Sequence, residues 1–385
     1  MFKSLLGLEE KAFTELAGGA VVGYTGTGSP MPNITILTFY DRIAAFHTLK
    51  PFLFSKDRKL FTYTNSPDWC LQKDRNRILV MVRWFLKPDR VDLNLLKKLR
   101  DKYERLIFFH DDAGGGIPRL EVLPFVDLFY QKALFKDRTL YMRELYGKEL
   151  FSDYYHKKYG IRDPEERKRA VVEDPEQLKK LRLSWNIGIG DFPRSTGRER
   201  FAVALARILG MPIVKPFYHR ETLSEGVLTE NRGLYPVHAR MGLVSRPSIA
   251  FHRKLILEKI KDDPRFITGE VGQRQYNREI RQSKIILSPF GWGELCYRDF
   301  EAVRNGALLL KPDMSHLETW PDVFKPFETY VPFSWDADDL IEKAAAYLED
   351  EEARKRIVRN AFEAYREQLA ELPRRFEGIL SDILL

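Results

Sequence analysis

Alternating apolar and amphipathic segments constrain the fold of this chain more than any other feature. "RILVMVRWF" (77–85) reads as a buried strand, "DLNLLKKLRDKYER" (92–105) has the apolar spacing of a surface helix, and "LIFFHDD" (106–112) is again strand-like. A strand–helix–strand unit of this kind normally closes with parallel strands and a right-handed crossover. The pattern therefore predicts an α/β fold built on parallel sheets.

The second half of the chain repeats this alternation. "YPVHARMGL" (235–243), "KIILSPF" (284–290) and "ALLLKP" (307–312) predict further strands, separated by helical patterns. A chain of 385 residues also exceeds what one hydrophobic core usually supports. We therefore predict two doubly wound, Rossmann-like domains that face each other across a cleft.

The domain boundaries follow from where the alternation restarts. We place an N-terminal Rossmann-like domain at 1–230 and a C-terminal Rossmann-like domain at 231–365. A C-terminal helix at 366–385 is expected to pack back on the N-terminal domain. In doubly wound sheets ligands bind just outside the carboxyl ends of the strands. Candidate site residues should therefore directly follow strands.

Cysteine and histidine content narrows the chemistry. The chain has two cysteines and seven scattered histidines, which excludes a disulfide framework and a cysteine-rich zinc site. We expect neither a metal nor a cofactor, and the low cysteine usage is typical of a reducing cytoplasm. The longest apolar runs are too short to span a bilayer.

The positive charge of the chain indicates an anionic partner. At a formal net charge of +8, nucleic acid, phosphorylated small molecules and an anionic membrane surface all qualify. The basic residues lie on amphipathic helices and lack the clustering with aromatic residues that is typical of nucleic-acid binding. We therefore expect no nucleic-acid partner, and peripheral association with the inner face of a membrane remains an open alternative.

The stretch "SPFGWGELCYRDFEAVRNGALLLKP" (288–312) is the best candidate for a ligand site. Its "GWG" turn follows a strand, where glycines let backbone N–H groups approach a ligand, and the next helix directs its N-terminal dipole at the same crevice. Arg298 and Glu301 share one face of that helix, and a phosphate-binding arginine beside a carboxylate for sugar hydroxyls suits a nucleotide sugar. Alternatively, Arg298 pairs with Asp299 or Glu301 on an exposed helix while Trp292 packs against a neighbour.

A family resemblance rests on this stretch and its surroundings. "YNREIRQSKIILSPFGWGELCYRDFEAVRNGALLLKP" and the tail "DLIEKAAAYLEDEEARKRI", about 90 residues in all, resemble the C-terminal half of GT-B glycosyltransferases. The similarity is strongest to the spore-maturation (CgeB-like) group, with a family 1-like C-terminal domain, and fainter to the exostosin family. It implies a GT-B fold of two Rossmann-like domains, a nucleotide-diphosphate sugar as donor substrate in the C-terminal domain, and no metal requirement.

The resemblance also implies residue roles. Arg298 matches the family arginine, and Glu301 matches the glutamate that holds the donor ribose. Many retaining relatives space two glutamates eight apart, whereas Glu294 and Glu301 are seven apart, so the role of Glu294 and the stereochemical outcome stay open. The predicted donor-binding residues are Arg240, Gly291, Trp292, Gly293, Glu294, Tyr297, Arg298, Glu301 and Lys311.

In the N-terminal half, "LIFFHDDAGGG" places His110, Asp111 and Asp112 where a strand meets a glycine-rich loop. One of them could take the proton of an acceptor hydroxyl as a general base. The aspartates could equally cap the loop, which is a common role of Asp beside Gly. The glycine-rich "GYTGTGSP" (23–30) departs from the dinucleotide fingerprint and predicts a loop that opens toward the cleft.

These observations favour a cytoplasmic glycosyltransferase. It would move a sugar from a nucleotide-diphosphate sugar to a hydroxyl of a glycan or lipid-linked acceptor, in glycan or polysaccharide synthesis. The alternative is a non-catalytic protein that binds a nucleotide sugar or a phosphorylated ligand in the same cleft.

Overall fold

The structure is a computed structural model that describes residues 33–84, 91–111, 119–147, 149–163, 170–192, 196–219, 223–230 and 233–385. Two parallel β-sheets form its centre, as the alternating pattern predicts. Within the described ranges, no helix is both long and apolar enough to cross a membrane.

The N-terminal sheet has six parallel strands in the order β2-β1-β3-β4-β5-β7. The strands of this half are β1 (Ile34–Thr38), β2 (Phe61–Thr64), β3 (Ile78–Val82), β4 (Arg105–His110), β5 (Leu128–Gln131), β6 (Ala133–Phe135) and β7 (Leu181–Leu183). β3 is apolar throughout, and β4 is apolar between its terminal Arg105 and His110, because both faces of the sheet are covered. Val80 and Ile107 lie in one core, while Leu79 and Phe108 lie in the core on the opposite face.

The C-terminal sheet has five parallel strands in the order β13-β11-β10-β8-β9. The strands of this half are β8 (Tyr235–His238), β9 (Phe266–Ile267), β10 (Ser283–Leu287), β11 (Leu308–Pro312), β12 (Leu317–Thr319) and β13 (Val331–Phe333). Counted along the chain, both sheets therefore start with the order 2-1-3-4-5. Each has its topological switch point between the first and third strands, where a doubly wound sheet opens a crevice for a ligand.

Helices cover both sheets. They are α1 (Lys50–Phe54), α2 (Pro67–Gln72), α3 (Leu93–Lys102), α4 (Leu150–Tyr159), α5 (Gly197–Leu209), α6 (Val227–Glu230), α7 (Pro247–Ile260), α8 (Gln273–Ile280), α9 (Tyr297–Arg304), α10 (Leu340–Glu349), α11 (Glu351–Ala370) and α12 (Leu372–Leu384). A π-helical turn spans Ala44–Thr48. Short 3₁₀ turns span Arg58–Leu60, Leu120–Phe125, Arg138–Met142, Pro175–Lys180, Ile187–Ile189 and Met211–Phe217.

The C-terminal helix α12 completes the core of the N-terminal sheet. Phe376 is 2% exposed, and its ring centroid lies 4.8 Å from that of Phe52 and 5.9 Å from that of Trp185. Arg105 of β4 also donates from Nη2 to the Asp382 carbonyl oxygen at 2.6 Å. The end of the chain thus belongs to the N-terminal core.

Two further crossings tie the halves of the chain together. β6, from the N-terminal half, pairs antiparallel with β12 from the C-terminal half, with Leu134 opposite Glu318. Helix α4 precedes residue 230, yet its Phe151 packs in one core cluster with Ile249 and Phe290 of the C-terminal half. No single position along the chain therefore separates the two cores.

Candidate functional site

A cavity of about 230 Å³ opens at the switch point of the C-terminal sheet. It lies where the chain leaves β8 and β10, which are neighbours in the sheet. The lining residues are Met241, Gly242, Arg253, Tyr276, Ser288, Pro289, Cys296, Tyr297, Arg298 and Glu301. Three of the predicted donor-binding residues, Tyr297, Arg298 and Glu301, are thus brought together in its wall.

Arg298 and Glu301 share one face of α9, and Tyr276 of α8 links them. The Tyr276 hydroxyl donates to Glu301 Oε2 at 2.8 Å and accepts from Arg298 Nε at 3.4 Å. Burial raises the pKa of the Glu301 carboxyl, because a desolvated carboxylate is disfavoured. Asp299, an alternative partner for Arg298, is fully buried and instead pairs with Lys311 at 3.0 Å. The arginine and the carboxylate therefore both face the cavity.

Arg253 is a second cation in the cavity wall that the sequence reasoning missed. It lies on α7 and donates from Nη1 to the Gly242 carbonyl oxygen at 2.7 Å. Its buried Nε has no hydrogen-bond partner among the described residues. Burial lowers the pKa of Arg253, and the positive charge of Arg298 lowers it further. Burial and the same Arg298 charge lower the pKa of His238 to about 4. The two guanidinium groups give this crevice the charge that a phosphate ligand requires.

The "GWG" turn lies behind the wall and contributes no lining residue. The Gly291 amide donates to the Gly293 carbonyl oxygen at 3.0 Å, so the turn itself satisfies this N–H. A Cβ at Gly291 would lie 3.0 Å from Cys296 Sγ and 3.6 Å from Arg253 Nη2, so the missing side chain lets the turn pack closely. Trp292 is 62% exposed, with the Arg246 guanidinium 5.9 Å from its ring centroid.

Arg240 and Lys311, two predicted donor-binding residues, also lie outside the cavity wall. Arg240 is held by both carboxylate oxygens of Glu279, from Nε and Nη2, at 2.9 Å each. Lys311 is fully buried beside Asp299, whose other oxygen accepts from the Cys296 amide at 2.7 Å and so caps α9. These placements suit a role in shaping the crevice rather than in direct contact with a ligand.

Glu294 is fully buried, and it points away from the Glu301 group. Neither of its carboxylate oxygens has a hydrogen-bond partner in the part of the chain that the structure describes. His316 Nε2 is 4.0 Å from Glu294 Oε1. Burial raises the pKa of Glu149 to about 7, and the charge of Glu294 contributes to this rise. The seven-residue spacing therefore does not bring the two glutamates to one cavity.

The predicted base candidates of the N-terminal half lie at the end of β4. The buried Asp111 carboxylate accepts from Thr48 Oγ1, from Arg83 Nη1 at 2.9 Å and from Lys132 Nζ at 2.6 Å. His110 Nδ1 shares a hydrogen bond of 2.8 Å with Gln131 Oε1. Arg83 and Lys132 therefore both occupy the carboxylate of Asp111. Asp112 and the segment 23–30 lie outside the described residues.

His47 is a residue of the N-terminal half that contacts the cavity wall, and the sequence reasoning missed it too. Its Nε2 and the Tyr297 hydroxyl share a hydrogen bond of 2.7 Å. Burial, followed by the charge of Arg42, lowers the pKa of His47 well below its usual range, so the imidazole is neutral. A Cβ at Gly190 would lie 1.5 Å from His47 Nδ1, so only glycine leaves room for the ring.

No three His, Cys, Asp or Glu side chains cluster as a metal site requires, among the residues whose placement the structure gives. The two cations of the wall, Arg253 and Arg298, are therefore the positive groups that this site offers to an anion.

Residues 253–375 match the profile of a family described as glycosyl transferase-like. This segment is less than half of the chain and contains most of the cavity wall. The match confirms the glycosyl transferase-like character predicted for the C-terminal half, while membership of the CgeB-like group stays a prediction. No curated protein matches the chain.

Several solved structures are similar to this chain at low identity. HepE of Anabaena, in complex with UDP and glucose, is 9% identical over 91% of this chain and 100% of its own, with a TM-score of 0.45. The pneumococcal O-GlcNAc transferase GtfA, in complex with UDP and GlcNAc, is 11% identical over 83% of this chain and 59% of its own, at 0.43. A UDP-forming trehalose-phosphate synthase of Burkholderia vietnamiensis is 10% identical over 80% and 75%, at 0.41. At such low similarity, function has to be argued from the residues of this chain.

Proposed function

We propose that this protein is a glycosyltransferase that moves a sugar from a nucleotide-diphosphate sugar to an acceptor hydroxyl. One observation carries the proposal: the switch-point cavity has two arginines and a carboxylate in its wall, within the segment that matches the glycosyl transferase-like family. Cations for a diphosphate and a carboxylate for ribose hydroxyls are the two groups that nucleotide recognition needs.

The arginines would act on the leaving group. The bond between the anomeric carbon and the diphosphate oxygen breaks as the acceptor oxygen bonds to that carbon, and negative charge accumulates on the departing nucleoside diphosphate. Arg253 and Arg298 offset this charge from fixed positions, which stabilises the transition state more than the ground state. Because two protein cations fill this role, we propose that the reaction needs no metal.

Glu301 would position the nucleoside. Its Oε2 is engaged by the Tyr276 hydroxyl at 2.8 Å, which fixes the carboxylate and leaves Oε1 to accept from the ribose hydroxyls. Tyr276 also touches Arg298, so the group that holds the ribose and the group that holds the diphosphate support each other.

The N-terminal half would complete the site from across the cleft. His47 holds the Tyr297 hydroxyl at 2.7 Å and acts as a positioning residue that aligns the acceptor side with the donor cavity. The acceptor proton passes to a base, and His110, Asp111 and Asp112 remain the predicted candidates. To act as the base, Asp111 would first have to leave Arg83 and Lys132.

We propose a glycan or lipid-linked acceptor and an enzyme that works in the cytoplasm, at the inner face of a membrane. The net charge of +8 supports an anionic surface as a partner. The crevice chemistry supports a nucleotide as the small-molecule ligand, and the same chemistry does not distinguish a retaining from an inverting reaction.

Calorimetric titration of the full chain with UDP, GDP and their sugar conjugates, and with dTDP- and CMP-linked sugars, tests the proposal. Binding together with release of the nucleotide on turnover is expected. Binding without hydrolysis or transfer to any acceptor would support the alternative of a non-catalytic binding protein. If none of these compounds binds, the proposed function is wrong.

Two arginine variants, one inside and one outside the cavity wall, serve as test and matched control. Arg253→Gln should weaken nucleotide binding, because it removes one of the two cations of the wall. Arg359→Gln removes an exposed arginine of α11, outside the cavity wall. It should leave the affinity unchanged.

A further inference from the structure

Helix α5 has apolar side chains on two opposite faces. Its inner face packs in the N-terminal core through Ala202, Val203 and Ala206. Its outer face carries a second stripe at the i, i+4, i+7 and i+8 spacing of one helix side: Phe201, Leu205, Ile208 and Leu209. Three of these four are strongly exposed, Phe201 at 59%, Ile208 at 73% and Leu209 at 59%. A surface helix normally carries polar residues on this side.

The apolar surface continues onto neighbouring segments. The ring of Phe201 lies 5.9 Å from that of Phe217 in the adjoining 3₁₀ turn Met211–Phe217. In the same turn, Lys215 Nζ lies 5.1 Å from the ring of Phe54, which is 51% exposed at the end of α1. We call this surface, formed by the outer face of α5, by Met211–Phe217 and by Phe54, the α5 face.

The charges around the α5 face are almost all basic. Its rim carries Arg198, Arg200 and Arg207 on α5, Lys215 on the 3₁₀ turn, and Arg58 and Lys59 after α1. Two acidic residues occur in these segments. Glu199 is buried and paired with Arg42 at 3.1 Å, and Asp57 is half-buried. An apolar stripe with a cationic rim fits a partner that is apolar inside and anionic at its surface.

We propose that the α5 face binds an anionic lipid bilayer. The outer stripe would enter the boundary between headgroups and acyl chains, while the rim arginines contact anionic headgroups. A second copy of this chain is a poorer occupant, because self-association would bring two basic rims together.

The position of the α5 face gives membrane binding a role in catalysis. This role rests on the proposed function. Phe201 follows Glu199 by two residues, and the guanidinium of Arg42, the partner of Glu199, lies 5.9 Å from the Tyr297 ring centroid. Tyr297 lines the donor cavity. Because Glu199 and Phe201 are on opposite sides of α5, a bilayer on the α5 face would lie one helix diameter (~10 Å) from the cleft, where it can present a lipid-linked acceptor.

Vesicle flotation of the full chain tests the proposal. The protein should float with vesicles of phosphatidylcholine plus roughly 30 mol% phosphatidylglycerol and stay behind with pure phosphatidylcholine. Binding should fall as salt rises. Ile208→Ser combined with Leu209→Ser should abolish flotation. Arg200→Gln and Arg207→Gln should each weaken it about fivefold.

Matched controls lie elsewhere on the surface. Val244, 100% exposed in the C-terminal half, gives Val244→Ser as the apolar control. Lys97→Gln with Lys98→Gln, on the exposed side of α3, gives the basic control, and neither should change flotation.

Three results would overturn the proposal: no flotation, equal flotation with both vesicle types, or equal losses in the control variants. Concentration-dependent dimers that disappear in the Ile208→Ser and Leu209→Ser variant, without vesicle binding, would assign the face to self-association instead. UDP and GDP titrations of the same proteins report separately on the donor cavity, so failure of the membrane proposal is distinguishable from failure of the proposed function.

Discussion

Replacing Glu301 with glutamine removes a carboxylate from the wall of the switch-point cavity and keeps the side-chain size. In the native protein, Tyr276 engages Oε2 at 2.8 Å and leaves Oε1 to accept from a ribose. The amide keeps one acceptor oxygen, but it loses the charge that strengthens the bonds to both partners. The variant should fold normally and bind nucleotides less tightly.

The magnitude follows from these contacts. A hydrogen bond to a charged group contributes about 1.5–3 kcal/mol. Because Glu301 is only half-buried and one acceptor oxygen survives, the lower part of this range applies. A loss of about 2 kcal/mol corresponds to a ~30-fold rise in Kd. Isothermal titration with UDP and GDP, whichever the wild type binds, measures this difference.

The pH dependence gives a second readout. Burial raises the pKa of Glu301 above its ordinary value, so the carboxylate is charged above that raised pKa and becomes protonated as the pH falls through it. The wild-type advantage over Glu301→Gln should therefore shrink at acidic pH. The phosphates of the ligand titrate equally for both proteins, so the ratio of their Kd values isolates Glu301.

Glu363→Gln on α11, which removes an exposed carboxylate, is the control and should bind as the wild type does. The reasoning is refuted if Glu301→Gln retains wild-type affinity at neutral pH, with the circular dichroism and Tm of the native protein. It is equally refuted if the affinity ratio does not change with pH.

Three other predictions concern the contacts of His47 and the packing of the C-terminal helix. Gly190→Ala should destabilise the protein by about 1–3 kcal/mol in urea denaturation and lower turnover, because its Cβ would meet His47 Nδ1 at 1.5 Å. Tyr297→Phe loses the 2.7 Å bond to His47 and should lower kcat about fivefold with nucleotide Kd unchanged; an altered Kd alone would contradict the positioning role. Phe376→Ala opens a cavity against Phe52 and should cost about 3–5 kcal/mol by denaturation, and a Tm equal to that of the wild type would contradict the packing.

The sheet strands were predictable because a strand that is buried on both faces consists of a run of apolar residues. "RILVMVRWF" (77–85) contains β3, which ends at Val82, and "LIFFHDD" (106–112) overlaps β4, which begins one residue earlier at Arg105. Arg298 and Glu301 were predictable for a similar reason. They lie on one short helix, α9, that directly follows a strand, so their spacing of three residues is enough to place both side chains on one helix face.

The missed residues depend on contacts that are distant in sequence. Arg253 occurs in "HRKLILEK", where a basic residue on an amphipathic helix is usually solvated, and only the fold shows that it faces Arg298. His47 lies in "AAFHTLK", within the π-helical turn Ala44–Thr48, and its partner Tyr297 is 250 residues away in the sequence. Trp292 shows the converse, because its motif pointed to a ligand while its side chain faces solvent and Arg246.

The return of α12 to the N-terminal sheet has a consequence for how the protein is made. Phe376, Ile379, Leu380 and Ile383 lie in the same core as Phe52, Phe61 and Trp185. During translation those three aromatic residues emerge long before the helix that covers them, and until then they present an open apolar surface. Domains at the N-terminal end of a chain usually fold first as they leave the ribosome. Here the N-terminal core is complete only after the C-terminal helix has been synthesised. A chain that ends before residue 372 therefore exposes an apolar surface that chaperones would bind.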